Sequence, residues 1–225
     1  MIELVVFDWD GVISDSDRLQ AEAEQVTARQ ITEESELDLD IDEVDWTKYK
    51  GWGRVKIAAD LFGVLPTSDL AETYRESVVD TTVEIMGEHN LNPVKGALPF
   101  IDYMRFRVGN MAVATSSNRR ILEPSTQLFG LQDYFRETVA HRECLDDKPK
   151  PGQYREVMRR LDVKPQNTLV IEDSASGITS GRYSGALVLA IATTKSPEYL
   201  RASTDANLVA ESFKHATHIL QPFLS

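Results

Sequence analysis

Asp8 and Asp10 stand two residues apart where an apolar run ends, in the segment Phe7-Asp8-Trp9-Asp10-Gly11-Val12. In extended backbone side chains alternate, so the two carboxylates share one face and Trp9 takes the other. Gly11 then permits a sharp turn, because it has no Cβ to forbid positive φ. Two carboxylates held this close repel unless a cation lies beside them or one keeps its proton. Either arrangement is chemically useful.

A second carboxylate pair follows the apolar run Thr168-Leu169-Val170-Ile171, which ends in Glu172-Asp173-Ser174 with Gly177 opening a helix. One acid at a strand end is usually a cap. Two pairs at the same edge of one sheet would be severely destabilising without a cation. The economical partner is a hard divalent ion with oxygen ligands, Mg²⁺ foremost, which keeps waters and binds a substrate phosphate.

Two further clusters fall at strand ends, where open parallel sheets build their sites. After Met111-Ala112-Val113-Ala114 comes Thr115-Ser116-Ser117-Asn118, a run of hydroxyls and N–H groups at a helix start. Such a terminus receives phosphate oxygens well, although its commoner role is a simple N-cap. In Asp147-Lys148-Pro149-Lys150-Pro151 the prolines restrict the backbone, so that one lysine can be aimed. By itself this segment reads as a surface lysine beside a helix start.

The elements that must hold these residues alternate as short apolar runs and longer helical patterns, the form of a parallel sheet covered on both faces. Strands are expected at Ile2 to Phe7, Met111 to Ala114, Thr138 to Ala140, Thr168 to Ile171 and Leu187 to Ile191. Helices are expected near Phe100 to Arg107, Asn118 to Phe129, Gln153 to Leu161 and Gly177 to Ser184. Roughly eighty residues separate the first strand from the next helix–strand pair, far beyond an ordinary connection.

That interval is an insertion. Leu19 to Ile31, Arg54 to Phe62 and Leu70 to Met86 carry helix formers, and no run alternates as a strand does. Eight acidic residues and no basic one lie from Glu33 to Asp45, which reads as a solvated face. Turn residues at Ser14 to Asp17 and His89 to Gly96 mark two hinges, so the piece is expected to act as a lid.

At 225 residues the chain can bury one large core and carry such an insertion. Its 42% hydrophobic and 27% charged content is ordinary for a globular protein. A net charge of -12 repels phosphate backbones and anionic lipid, so neither nucleic acid nor membrane is an expected partner. The lone cysteine, Cys144, leaves no internal disulfide and suits a reducing compartment. Leu4 to Phe7 is too short and too acidically flanked for a signal peptide or a spanning helix, and a cytoplasmic location is the expectation.

With its motifs in this order, Asp8-Trp9-Asp10-Gly11-Val12, Thr115, Lys148 and Glu172-Asp173, the chain resembles the haloacid dehalogenase superfamily over essentially its whole length. The resemblance implies an α/β fold with a Rossmann-like three-layer core over residues 1–16 and 91–225, and an inserted all-helical cap domain over residues 17–90. It implies that Asp8 is the nucleophile that takes a phosphoryl group and Asp10 the general acid and base. Thr115 would bind the phosphoryl oxygens, helped by Ser116 and Asn118, and Lys148 would offset charge on nucleophile and phosphate. Mg²⁺ would be held by Asp8, the Asp10 carbonyl and Asp173, with Glu172 binding directly or through water.

The insertion resembles the cap of the β-phosphoglucomutase and small-metabolite phosphatase subgroup. There Lys50-Gly51-Trp52-Gly53-Arg54 is similar to a substrate loop in which Lys50 and Arg54 would meet an anionic group; equally, Trp52 is a packing anchor and Arg54 a helix start. Gln20 stands where the mutase has a histidine, and an amide cannot titrate. The expected activity is therefore a Mg²⁺-dependent phosphatase acting on a small phosphorylated metabolite, a sugar phosphate among the candidates. A β-phosphoglucomutase-like phosphomutase and a non-catalytic phosphate-ligand sensor are the alternatives.

Overall fold

The computed structural model describes residues 1–49, 52–88, 91–144 and 146–224. After β1 (Leu4–Phe7) come α1 (Asp17–Glu34), α2 (Arg54–Phe62) and α3 (Asp69–Glu88), with 3-10 turns at Ile41–Glu43 and Trp46–Tyr49. The chain then alternates through α4 (Ala97–Arg107), β2 (Met111–Ala114), α5 (Arg119–Leu128), β3 (Glu137–Val139), α6 (Gly152–Leu161) and β4 (Thr168–Glu172). It finishes with α7 (Ala175–Ser184), β5 (Leu187–Ile191), α8 (Pro197–Ser203), β6 (Leu208–Ala210) and α9 (Phe213–Leu220). Two compact units result, Met1–Ser16 with Asn92–Ser225, and Asp17–Leu91.

In the first unit six parallel strands lie in the order β3-β2-β1-β4-β5-β6. Phe7 is in register with Val113 on one side and Ile171 on the other. The order reverses at β1, which makes the carboxyl ends of β1, β2 and β4 the crevice where such sheets bind ligands. The strands are apolar throughout because both faces are covered. Val5, Phe7, Met111, Val113, Leu169 and Ile171 pack with Phe100, Met104, Leu122 and Phe213 from α4, α5 and α9. The alternate residues Leu4, Val6, Ala112, Ala114 and Val170 pack with Tyr154, Val157, Ile178 and Leu200 from α6, α7 and α8. The period of two thus sorts one set of strands onto two cores, giving the three-layer α/β architecture.

Strand ends differ slightly from the sequence expectation. β1 begins at Leu4 rather than Ile2, because the Ile2 and Glu3 amides donate to Phe223 and Asn167 carbonyls outside the ladder. β3 lies one residue earlier than expected, and α7 starts at Ala175 because Ser174 caps it, accepting from the Gly177 amide at 3.1 Å. The apolar pattern does not announce β6, α8 and α9; β6 is a three-residue edge strand.

The second unit is helical. Thr27 and Thr81 hydroxyls meet at 3.0 Å where α1 packs on α3, and Ala71, Tyr74 and Val78 recur at helical spacing on the buried face of α3. The Tyr74 hydroxyl donates to the Glu24 carbonyl, and its ring meets Phe62 edge-on. Tyr49 packs edge-on against Trp46 and Trp52. In the acidic stretch Asp42 is paired with Arg29 at 2.7 Å. Among the described residues no helix is long and apolar enough to cross a membrane.

Candidate active site

β1 delivers Asp8 to the crevice. Its amide still donates to the Ile171 carbonyl at 3.0 Å, so the parallel ladder runs one residue past the strand and fixes the backbone of the acid. Trp9 turns the other way and is buried, stacked on Phe129 at 5.8 Å between ring centres. Gly11 has φ +74°, and a Cβ there would lie 2.8 Å from Asp173 Cγ. Glycine is therefore required twice, by conformation and by space.

Lys148, 5% exposed at its side chain, reaches into the crevice from the segment before α6. Its ammonium donates to Asp8 Oδ1 at 2.8 Å, Glu172 Oε1 at 2.7 Å and the Ala114 carbonyl at 3.1 Å. One acceptor comes from the end of each of β1, β4 and β2. All three protons of the ammonium are thereby used.

Glu172 is fully buried and accepts from both sides. Besides Lys148, the Tyr154 hydroxyl donates to Oε1 at 2.7 Å, while Oε2 receives the Asp173 and Ser174 amides and the Ser174 hydroxyl at 3.1–3.2 Å. A Cβ on Gly177 would run into this carboxylate. Asp173, also buried, accepts from the Thr194 hydroxyl at 2.5 Å.

Asp8, Glu172 and Asp173 each offer a carboxylate oxygen within 4.8 Å of the others. Burial, then the Glu172 charge, hold the Asp8 carboxyl well above the usual carboxylate range, against the pull of Lys148. Burial pulls the Lys148 ammonium down, but Asp8 and Glu172 outweigh it and hold lysine above its ordinary range. Burial and Glu172 likewise hold Tyr154 well above the ordinary phenol, so its hydroxyl stays a donor. Three clustered carboxylates, two of them paired with the one ammonium, leave room for a proton or a cation, and an all-oxygen buried set suits a hard divalent ion. The residues therefore fit the metal expected from the sequence.

Asp10 is held apart from that cluster. Ser117 donates to its Oδ2 at 2.5 Å, Thr115 approaches the same oxygen at 3.4 Å, and the Ser16 hydroxyl donates to Oδ1. Thr115 is buried, and its hydroxyl accepts the Ser117 amide at 3.0 Å. Ser116 is exposed, and the Asn118 side chain accepts from the Arg120 amide as the N-cap of α5.

The structure thus brings Asp8, Lys148, Glu172 and Asp173 into direct contact or ligand distance, and places Thr115 beside Asp10. Arg54 opens α2 in the helical unit, where it pulls down a Glu24 carboxyl that burial pushes up. Lys50 lies outside the described residues. Sequence reasoning misses Tyr154, Ser16, Ser117 and Thr194. Ser117 sits inside the hydroxyl run already singled out, whereas Tyr154 at helical spacing from Val157 and Met158 is indistinguishable from a core aromatic.

Three comparisons bear on this geometry. The family model described as haloacid dehalogenase-like hydrolase matches residues 5–191. A phosphorylated carbohydrates phosphatase of Thermotoga maritima is 28% identical over 186 residues, 82% of each chain. Among solved structures, a family IA, variant 3 hydrolase from Entamoeba histolytica superposes with a TM-score of 0.81 at 22% identity, covering 95% of this chain and 94% of that one. A β-phosphoglucomutase from Clostridium difficile superposes with a TM-score of 0.75 at 23% identity, covering 98% and 100%.

Proposed function

Because the chain belongs to the haloacid dehalogenase-like hydrolases, we propose that it is a Mg²⁺-dependent phosphatase that hydrolyses a small phosphorylated metabolite through a phosphorylated Asp8. The observation that carries this reading is the buried constellation itself: Asp8 held by Lys148 at 2.8 Å, with Glu172 and Asp173 within ligand distance. The similarity to a phosphatase of phosphorylated carbohydrates favours a sugar phosphate.

In the first step Asp8 attacks phosphorus, its carboxylate oxygen forming the new P–O bond while the bond to the leaving oxygen breaks. Asp10 gives that oxygen its proton, so an alcohol departs. In the second step Asp10 takes a proton from water, which attacks phosphorus and returns Asp8 as a carboxylate with release of phosphate. Ser16 and Ser117 hold Asp10 for both transfers. Lys148 offsets negative charge on Asp8 and on the phosphoryl oxygens in both steps. Thr115 binds the phosphoryl group, with the Ser116 amide and Asn118 as helpers at the start of α5. Held by Asp8, Asp173 and the Asp10 carbonyl, with Glu172 direct or through water, the cation would neutralise the charge that otherwise repels an anionic nucleophile from an anionic substrate.

The helical unit is the part of the chain that would choose the leaving group, with Arg54 and Lys50 as its cationic contacts. Gln20 favours hydrolysis over return of the phosphoryl group to substrate, since it carries no titratable proton. The single Cys144 fits a cytoplasmic site of action. The test is phosphate release with Mg²⁺ across sugar phosphates, phosphoglycolate and nucleoside monophosphates, with and without chelator. Release from one class, abolished by chelator, is expected. Isomerised sugar phosphate with little free phosphate would favour the mutase instead, and tight binding without turnover of any ester would favour a sensor.

A further inference from the structure

Thr194 lies in the loop after β5, outside every motif singled out in the sequence. Its hydroxyl donates to Asp173 Oδ2 at 2.5 Å. The loop itself is fixed: the Ala192 amide donates to the Ala210 carbonyl of β6 and the Thr193 amide to the Ile191 carbonyl. The Thr194 methyl faces Gly11, whose Cβ, were there one, would stand 2.9 Å from Thr194 Cγ2. With its methyl beside Gly11, the side chain points its hydroxyl at Asp173. Three strand ends meet here: Gly11 after β1, Asp173 after β4 and Thr194 after β5.

We propose that Thr194 is a positioning residue for cation binding, the outer hydrogen-bond donor that locks the Asp173 carboxylate in its ligating orientation. The inference rests on the reading of Asp8, Asp173 and their neighbours as a divalent-cation site. A carboxylate tied at one oxygen cannot swing about its Cβ–Cγ bond, so the cation meets a ligand already ordered. Without the hydroxyl, Asp173 must be ordered at the expense of binding. Losses of outer partners of this kind weaken metal affinity by about 10- to 100-fold.

The experiment measures Mn²⁺ binding to the intact protein by electron paramagnetic resonance of the free ion, with no substrate and no turnover involved. Thr194→Val keeps the branched shape and removes the donor, and Thr194→Ser keeps the donor and removes the methyl. Val is expected to weaken Mn²⁺ binding about 10-fold or more while the cation-free protein melts near the wild-type temperature, and Ser is expected to stay within about 3-fold of wild type. Equal affinity in Val and wild type overturns the inference, as does a Ser variant as weak as Val. A wild-type protein that binds no Mn²⁺ overturns the cation site itself, and with it the role given to Thr194. Should the Val variant prove unstable without cation, the Ser variant decides: retained affinity supports the donor role, and lost affinity refutes it.

Discussion

Lys148 Nζ stands 2.8 Å from Asp8 Oδ1 although the two residues are 140 positions apart. The contact joins the first strand to a segment two strands later and is almost sealed from solvent. Replacing Lys148 by Met leaves Asp8 and Glu172 without their shared counter-charge. The expected loss in cation-free protein is about 3–5 kcal/mol, the range for breaking a buried pair, with part of it restored by saturating Mg²⁺. Urea unfolding with and without the ion measures both; an unchanged midpoint would contradict the electrostatic account.

The raised Asp8 carboxyl gives cation binding a pH dependence of definite sign. With the folded value above the unfolded one, protonation stabilises the cation-free fold at low pH, and that contribution disappears as pH rises through the folded value. A divalent ion competes for the same oxygens. Its stabilising effect, read as the melting-temperature increase on adding Mg²⁺, is therefore expected to grow as pH rises through the raised Asp8 value, in the manner of proton–metal competition. An increase that stays the same at every pH where the protein remains folded would count against Asp8 as a ligand.

Asp8→Asn is expected to abolish turnover and leave the fold intact, because it also removes one of three crowded carboxylates. Asp10→Asn is expected to slow turnover by about 10²–10⁴, the usual worth of a positioned acid–base group. Phosphate release and circular dichroism on the two variants separate these roles, and near-normal hydrolysis by the Asp8→Asn protein would dispose of the covalent route.

Two glycines offer a contrast in stability. Gly177→Ala puts a methyl into the Glu172 carboxylate and is expected to cost about 1–3 kcal/mol as overpacking, with loss of activity. Gly87→Ala, in the last turns of α3 with open space around it, is expected to gain about 0.5–1 kcal/mol from helix propensity alone. Thermal melts of both variants show whether space or conformation governs each site.

The part of the candidate site that lies at strand ends is legible because its residues interrupt apolar runs. Asp8, Thr115 and Glu172 each follow a stretch whose burial on both faces demands uninterrupted Val, Ile, Leu and Ala, so a polar residue there stands out. Met111–Ala114 and Leu187–Ile191 are readable to the residue for the same reason. β6 is not, since Leu208-Val209-Ala210 is short, only partly buried and on the sheet edge. Ser117, Tyr154 and Thr194 are hidden for a different reason: a hydroxyl becomes significant only through its partner, and those partners lie 107, 18 and 21 residues away. Asn118 shows the converse, a polar residue at a promising position whose side chain closes a helix.

The three protons of Lys148 are shared among the ends of three adjacent strands. Opening any one of β1, β2 or β4 at its carboxyl end strands the same buried ammonium. Fraying at that edge is therefore expected to be concerted, with the amides of the three strand ends exchanging with solvent as one unit. The edge of the sheet that carries the candidate site is thereby tied together by a single side chain.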